Sequence, residues 1–425
     1  MSFKVLVVDD SNFFLQRLKE MINEHPDLDV IAMAHNGREA VEKAEKYHPD
    51  IITMDFEMPV LNGVSAVRQI MANNPTPIVM FSSLTYEGAR VTLDALEAGA
   101  VDFMLKDFSE VSRNSVSLKH KLHENLLSIL KQSNCSVKVS SKHTSLDTSQ
   151  LIRSQTTIPT AQLIAQPISE EVSCSATPVD SYASFVNVKS EEQQRYNRSA
   201  ETSKVSANPT NSSNSDVDKK LLYIDSVNRD KSTYVSLKNK IKLLVVGAST
   251  GGPVALMDVL TALPASFPVP ILLVQHMPIN FTKAFAERLN RQCKIEVREA
   301  VDGDQLLPGV ALLAPGGMQL MLDKQGASVR VLAADDRVNY KPSVDITFGS
   351  AANSFGAEVL GIVLTGMGAD GCDGARLLKE KGAIIWSQDK QSSIIYGMPM
   401  AVAKANLTDQ VLSLEAIGPR LAQVF

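Results

Sequence analysis

Apolar positions in the first hundred residues fall in short unbroken runs. Val5-Leu6-Val7-Val8, Ile51-Ile52-Thr53-Met54 and Ile78-Val79-Met80-Phe81 each stop at polar residues, and stretches with apolar residues three and four apart lie between them. Continuous runs predict strands buried on both faces, and the wider spacing predicts helices covering them. Strands are expected over 4–8, 29–34, 51–54, 77–81 and 101–105. Ser11 reads as the cap of a helix carrying Phe14, Leu15, Leu18, Met21 and Ile22, and further helices are expected over 38–47, up to Asn73 and over 89–98. Strands alternating with helices imply a parallel sheet with helices on both faces.

Helical spacing continues over about 109–131, and then the pattern stops. Ser, Thr, Asn and Gln make up 40 of the 89 residues over 132–220, and no glycine stands between Gly99 and Gly247. Such a segment buries too little apolar surface to offset its chain entropy. It is expected to be a long, mostly disordered linker, with room for a short helix around 221–235. From Ile241 the alternation resumes. Leu243-Leu244-Val245-Val246 runs into Gly247-Ala248-Ser249-Thr250-Gly251-Gly252-Pro253, and helical spacing follows. Strands are expected over 269–274, 359–364 and 383–386, helices around Phe281, Phe285 and Leu289 and over 374–381, and short strands and turns over 295–333. The division is then 1–125, a linker over 126–238, and 239–425.

Composition narrows the field. A net charge of −5 gives no electrostatic reason to expect nucleic-acid binding. Cys135, Cys174, Cys293 and Cys372 are scattered without a C-x-x-C pair, which fits a reducing compartment and argues against a disulfide framework or a zinc site. Phe3 to Val8 is too short for a secretory leader, and no run of about 18 apolar residues suggests a membrane span. The expectation is a cytoplasmic protein.

Polar residues at the predicted strand ends carry the first chemistry. Asp9, Asp10, Asp55, Ser82 and Lys106 all follow strands, and the carboxyl ends of parallel strands converge on one crevice. Carboxylates gathered there repel one another unless a divalent cation joins them, and hard oxygen ligands suit Mg²⁺. Asp55 can attack a phosphoryl donor, Lys106 balances the phosphate charge, and Ser82 donates a hydrogen bond to it. A single acid in such a place could merely cap a helix; five residues together argue for a site. Val8-Asp9-Asp10-Ser11, Met54-Asp55-Phe56-Glu57-Met58-Pro59-Val60-Leu61-Asn62-Gly63 and Phe81-Ser82-Ser83 make 1–125 resemble a response-regulator receiver domain, with its doubly wound, five-stranded, flavodoxin-like sheet. The family usually has proline after the lysine. Here Asp107 follows Lys106, so no cis peptide is expected there.

Ser249, His276 and Asp370 likewise follow predicted strands. A serine hydroxyl needs a base, and the base needs a carboxylate to fix its tautomer. His276 is the only histidine after His143, so it is the one available base of that kind. Gly247-x-Ser249-x-Gly251 reads either as a nucleophile turn or as a loop of small residues for close packing. The order Ser, His, Asp excludes an α/β-hydrolase arrangement, which runs Ser, acid, His. A rival pattern overlaps: Gly366-Met367-Gly368-Ala369-Asp370-Gly371 is a literal G-x-G-x-x-G, with Asp389 downstream. It mimics a dinucleotide fingerprint, but it would set a carboxylate beside a pyrophosphate. A nucleotide-dependent oxidoreductase and a non-catalytic binding module are the alternatives to an esterase.

Residues 239–425 resemble the catalytic domain of the chemotaxis protein-glutamate methylesterases. The resemblance rests on 247–252, Gln275-His276-Met277-Pro278, Lys341-Pro342-Ser343-Val344-Asp345, 364–371 and Tyr396-Gly397-Met398-Pro399. It implies a mostly parallel, Rossmann-like α/β fold and hydrolysis of glutamate γ-methyl esters on methyl-accepting chemotaxis receptors, with deamidation of specific glutamines and a chemotaxis histidine kinase as phosphodonor. It implies Ser249 as nucleophile, His276 as base, Asp370 as its orienter, and the N–H groups of Thr250 and Met367 as oxyanion donors. No cofactor is expected at this site, and Mg²⁺ is expected at the receiver, held by Asp9, Asp10 and Asp55. No nucleic-acid partner and no membrane insertion are expected. The linker is longer than expected for the family, and Gly317-Met318-Gln319 stands where a charged residue and histidine are common.

Overall fold

The computed structural model describes residues 2–106, 111, 115–136, 237, 239–335 and 337–425. The described residues of Met1–Val139 and Lys220–Phe425 belong to one compact unit. Of the expected linker, 126–136 is helical, whereas 137–236, with the helix anticipated around 221–235, lies outside the described residues, as does the peptide after Lys106.

The first half is a five-stranded sheet in the order β2-β1-β3-β4-β5. Its strands are β1 (Phe3–Val8), β2 (Leu28–Ala34), β3 (Ile51–Asp55), β4 (Ile78–Ser82) and β5 (Asp102–Leu105). Every pairing is parallel. Ile51, Ile52, Met54, Ile78, Val79 and Met80 are fully buried, as unbroken apolar strands between two helical layers require. Apart from the last helix, predicted boundaries move by up to three residues, the most at the helix expected over 89–98, which runs Tyr86–Glu97. Ser11 does stand at the N-cap of the helix Asn12–Asn23, but its hydroxyl caps nothing. Its N–H instead donates to Asp9 Oδ1. The helix expected over 109–131 runs Val116–Ser136.

In the second half, the strands that matter for the site are β6 (Leu243–Ala248), β7 (Ile271–Gln275) and β12 (Val359–Val363). With β8 (Glu296–Glu299), β9 (Val310–Leu313), β13 (Ile384–Gln388) and β14 (Gln410–Leu412) they form a seven-stranded sheet, β14-β13-β12-β6-β7-β9-β8, again parallel throughout. β6 lies between β7 and β12, so the chain leaves it in one direction and returns on its far side. That reversal opens a crevice at the carboxyl ends of these strands. An antiparallel pair, β10 (Met318–Leu322) with β11 (Val329–Ala333), stands apart from the main sheet. No helix among the described residues is long and apolar enough to cross a membrane.

Candidate active site and phosphoacceptor site

Three strand-end loops meet at the crevice. Ser249 follows β6, His276 follows β7, and Asp370 lies beyond β12. His276 Nδ1 is 3.1 Å from Ser249 Oγ, and Nε2 is 2.7 Å from Asp370 Oδ2. The histidine therefore turns its near nitrogen to serine and its far one to the acid, the reverse of the usual Ser-His-Asp template. Topology accounts for this. Ser249 is one strand away from His276, whereas the strand leading to Asp370 is two away, about 10 Å in a regular sheet. Only the outer ring nitrogen reaches that far.

The turn at Ser249 differs from the expected nucleophile elbow. Ser249 has no positive φ; the left-handed residue is Gly251, at φ 75°. A Cβ on Gly251 would strike Ile394, and one on Gly247 would lie 2.4 Å from Val344 Cγ1. Gly247 thus admits the helix Val344–Phe355 against β6, and Gly251 starts the helix Gly252–Thr261. The close-packing reading of the glycine spacing accounts for both positions. Neighbouring side chains fix the turn: Gln275 Nε2 donates to Ser249 O, and Thr365 Oγ1 donates to Thr250 O.

Asp370 is held by more than the histidine. Ser343 Oγ and Asp345 N donate to its Oδ1, and Val344 N donates to its Oδ2. Burial pushes its pKa up, but the His276 ring and these N–H groups outweigh burial and hold it below the usual carboxylate range. A helix N-terminus stabilises the charge further. Asp345 Oδ1 accepts from Gly371 N and Gly374 N, so the helix Cys372–Glu380 already has its anion. The G-x-G-x-x-G loop consequently offers no free N-terminus to a pyrophosphate, and the dinucleotide reading fails on geometry.

Sequence reasoning passed over Ser343, Asp345, Gln319 and Tyr340 as site residues. The motif 341–345 signalled the first two, and Gln319 was marked only as a departure. Tyr340 carried no signal, since its role depends on which loop it meets. Both proposed oxyanion donors border the serine. A Cβ on Gly366 would lie 2.7 Å from Ser249 Cβ, so the following peptide runs against Ser249. The backbone N–H groups of Thr250 and Met367 have no protein acceptor among the described residues.

At the other site, carboxylate oxygens of Asp9, Asp10 and Asp55 lie within 4.8 Å of one another. Lys106 Nζ is 2.7 Å from Asp9 Oδ2 and 2.7 Å from Asp55 Oδ2. Burial pushes Asp55 up to about 6 despite the lysine, with the Asp9 charge adding to the rise. Ser82 is engaged differently from expectation. Its hydroxyl is buried, facing Ser83 O and Gly88 O and accepting from Thr92 Oγ1. It reaches a phosphate on Asp55 only by leaving these partners.

The receiver packs on the esterase beside the serine. Thr250 Oγ1 donates to Asp102 Oδ2 at 2.8 Å, and Asn125 Nδ2 donates to the same oxygen. Burial raises the Asp102 pKa. Phe103 stacks on Phe281 at 4.7 Å, and Arg288 pairs with Asp94 and Glu97. Ser128 Oγ lies 3.7 Å from Met367 Sδ, and Gln132 Nε2 donates to Lys390 O.

Residues 5–113 match the family model for the response regulator receiver domain, and 244–421 that for CheB methylesterase. A protein-glutamate methylesterase/protein-glutamine glutaminase 1 of Saccharophagus degradans is 51% identical over 421 residues, 99% of this chain and 99% of its own. One from Shewanella frigidimarina is 48% identical over 417 residues, 98% and 97% of the two chains. Among solved structures, the Thermotoga maritima CheB methylesterase catalytic domain is 37% identical, with a TM-score of 0.42, covering 44% of this chain and 99% of that one. Relatives aligned over nearly their whole length are about as long as this chain, so its long middle segment is no departure from them, contrary to expectation. The chain, a receiver domain followed by a CheB methylesterase domain, belongs to the protein-glutamate methylesterase/protein-glutamine glutaminase family.

Proposed function

We propose that this protein hydrolyses glutamate γ-methyl esters on chemoreceptors in the cytoplasm, releasing methanol, and deamidates specific glutamines, under control of phosphorylation at Asp55. The observation that carries the reading is the continuous hydrogen-bonded path from Ser249 Oγ through His276 to Asp370. Ser249 attacks the ester carbonyl while His276 Nδ1 takes its proton. Asp370, kept ionised, receives the Nε2 proton as a hydrogen bond and stabilises the imidazolium. The N–H groups of Thr250 and Met367 donate to the oxyanion. His276 then returns the proton to the departing methoxide, and water enters by the same base to free the glutamate. With glutamine the leaving group is ammonia. Methanol release from methylated receptor membranes, with and without a small phosphodonor, tests this directly. Release that rises with the donor is expected, and no release in either case would remove the reading.

At the receiver, a chemotaxis histidine kinase supplies the phosphoryl group, and an Asp55 oxygen attacks its phosphorus as the donor histidine leaves. Asp9, Asp10 and Asp55 offer oxygen ligands suited to Mg²⁺. When bound, the cation neutralises the charge that gathers as phosphoryl oxygens approach the carboxylates. Lys106 holds Asp55 in place and pairs with the phosphate once formed. Incubation with Mg²⁺ and a radiolabelled phosphodonor is expected to label the protein at Asp55. Asp55→Asn should take no label, and chelation should abolish labelling of the unmodified chain. Label on the Asn variant would put the phosphate elsewhere.

A further inference from the structure

We propose that Tyr340 is a positioning residue for the esterase, laying its ring on His276 so that the imidazole keeps the plane joining Ser249 to Asp370. The proposal rests on the triad reading above. The two rings are stacked, with centroids 4.4 Å apart and planes 12° from parallel. An imidazole free to rock about its side-chain bonds loses one hydrogen bond as it gains the other. A flat neighbour restricts it to the orientation that makes both. The same ring face attracts the imidazolium that arises when His276 takes the serine proton. That attraction is stronger in the transition state than in the ground state, which is the condition for raising kcat.

The tyrosine is placed by a built support rather than by chance contact. Gln319 is fully buried on β10. Its Nε2 donates to Tyr340 O at 2.7 Å, and its Oε1 accepts from Ser343 N at 2.9 Å. Gly317 N donates to Lys341 O between them. One amide thus clamps both ends of the segment 340–343. That segment presents Tyr340 to the histidine and Ser343 to the carboxylate, so both partners of His276 are set by one strap. The phenol end lies against the loop after β12: a Cβ on Gly368 would be 2.8 Å from the Tyr340 hydroxyl. Burial, with the charges of Asp370, Glu124 and Asp345, raises the phenol's pKa and keeps the ring neutral. Tyr340 remains 36% exposed, so its replacement does not open a core cavity.

The test compares Tyr340→Phe, Tyr340→Leu and Tyr340→Met in the full chain, with Ser249→Ala as control. Methanol release on methylated receptor membranes gives kcat and KM. The His276 ring C–H signal, in protein labelled with ¹³C-histidine and assigned through His276→Ala, reports the stack. The Phe variant should keep kcat within about threefold and keep the upfield ring-current shift of His276. The Leu and Met variants should lose about tenfold in kcat, the scale of a cation–ring contact, with KM and melting temperature unchanged. Their His276 signal should lose its shift. Full kcat in the Leu and Met variants, or an equal loss in Phe, would overturn the proposal, as would a His276 signal that the Leu change leaves in place. Activity surviving in Ser249→Ala would instead overturn the triad itself.

Discussion

Ser249→Ala and His276→Ala are each expected to remove nearly all ester hydrolysis while leaving the melting temperature unchanged. What remains should be the acceleration from binding and the oxyanion donors, on the order of 10³–10⁴ over the reaction in water. The double variant should be hardly worse than either single one, because the two groups act as a unit. Asp370→Asn is the sharper case. Its carboxylate accepts from His276 and Val344 on one oxygen and from Ser343 and Asp345 on the other. An asparagine must aim its NH₂ at one of these donor pairs. Facing Ser343 and Asp345, it breaks the clamp of the helix Val344–Phe355. Facing His276, it forces the ring proton onto Nδ1, toward Ser249, and leaves no base. Either arrangement should lower kcat by on the order of a thousandfold, as measured by methanol release. Near-normal turnover in Asp370→Asn would mean that another group orients the histidine.

These residues were legible because their positions follow from topology. Buried parallel strands announce themselves as apolar runs, and residues just after such runs must converge at one sheet edge. Ser249, His276 and Asp370 could be paired on that ground, as could Asp9, Asp55 and Lys106. The support around them could not. Ser343, Gln319 and Tyr340 sit in segments without periodicity, and their partners lie in other loops. The orientation of the His276 ring depends on strand order, which the sequence does not state. Ser82 was correctly placed at a strand end, yet its hydroxyl took local partners, as serines often do. Asp102 looked like an ordinary residue at the start of a strand. Only the packing of two domains makes it a buried neighbour of the Ser249 turn.

Removing residues 1–235 is expected to raise esterase activity about tenfold or more over the unphosphorylated chain, and phosphorylating the full chain should move it the same way. The contacts give the reason. The receiver holds the two residues whose backbone N–H groups are proposed to meet the oxyanion: Thr250 through Asp102, and Met367 beside Ser128. Inhibition is therefore expected to work through these donors as well as through access to Ser249. The hydrogen-bond partners of Asp102 are the uncharged side chains of Asn125 and Thr250 and the backbone N–H of Phe103, so the packed arrangement buries a carboxyl beside neutral donors, at the cost of its hydration. Some 100 residues join the halves, and a linker of the kind expected there from sequence would give a low effective concentration for docking. A swing from 1:99 to 99:1 would need roughly 5.5 kcal/mol of differential stabilisation, and a smaller one is expected here. The sign of the pH effect follows from burial. In the packed arrangement burial holds the Asp102 carboxyl above its usual range; exposure of that face to water on opening is expected to relax the shift, so that lowering the pH favours the closed form. The ratio of full-length to fragment activity cancels the pH dependence of the triad, and it should fall as pH falls. Asp102→Asn should flatten that dependence. The fragment left when residues 1–235 are removed retains a core of its own around Leu243, Val245, Phe348 and Val363, so its folding can be checked by melting before it is assayed. A folded fragment no faster than the unphosphorylated chain would mean that the receiver brings the enzyme to its substrate instead of restraining it.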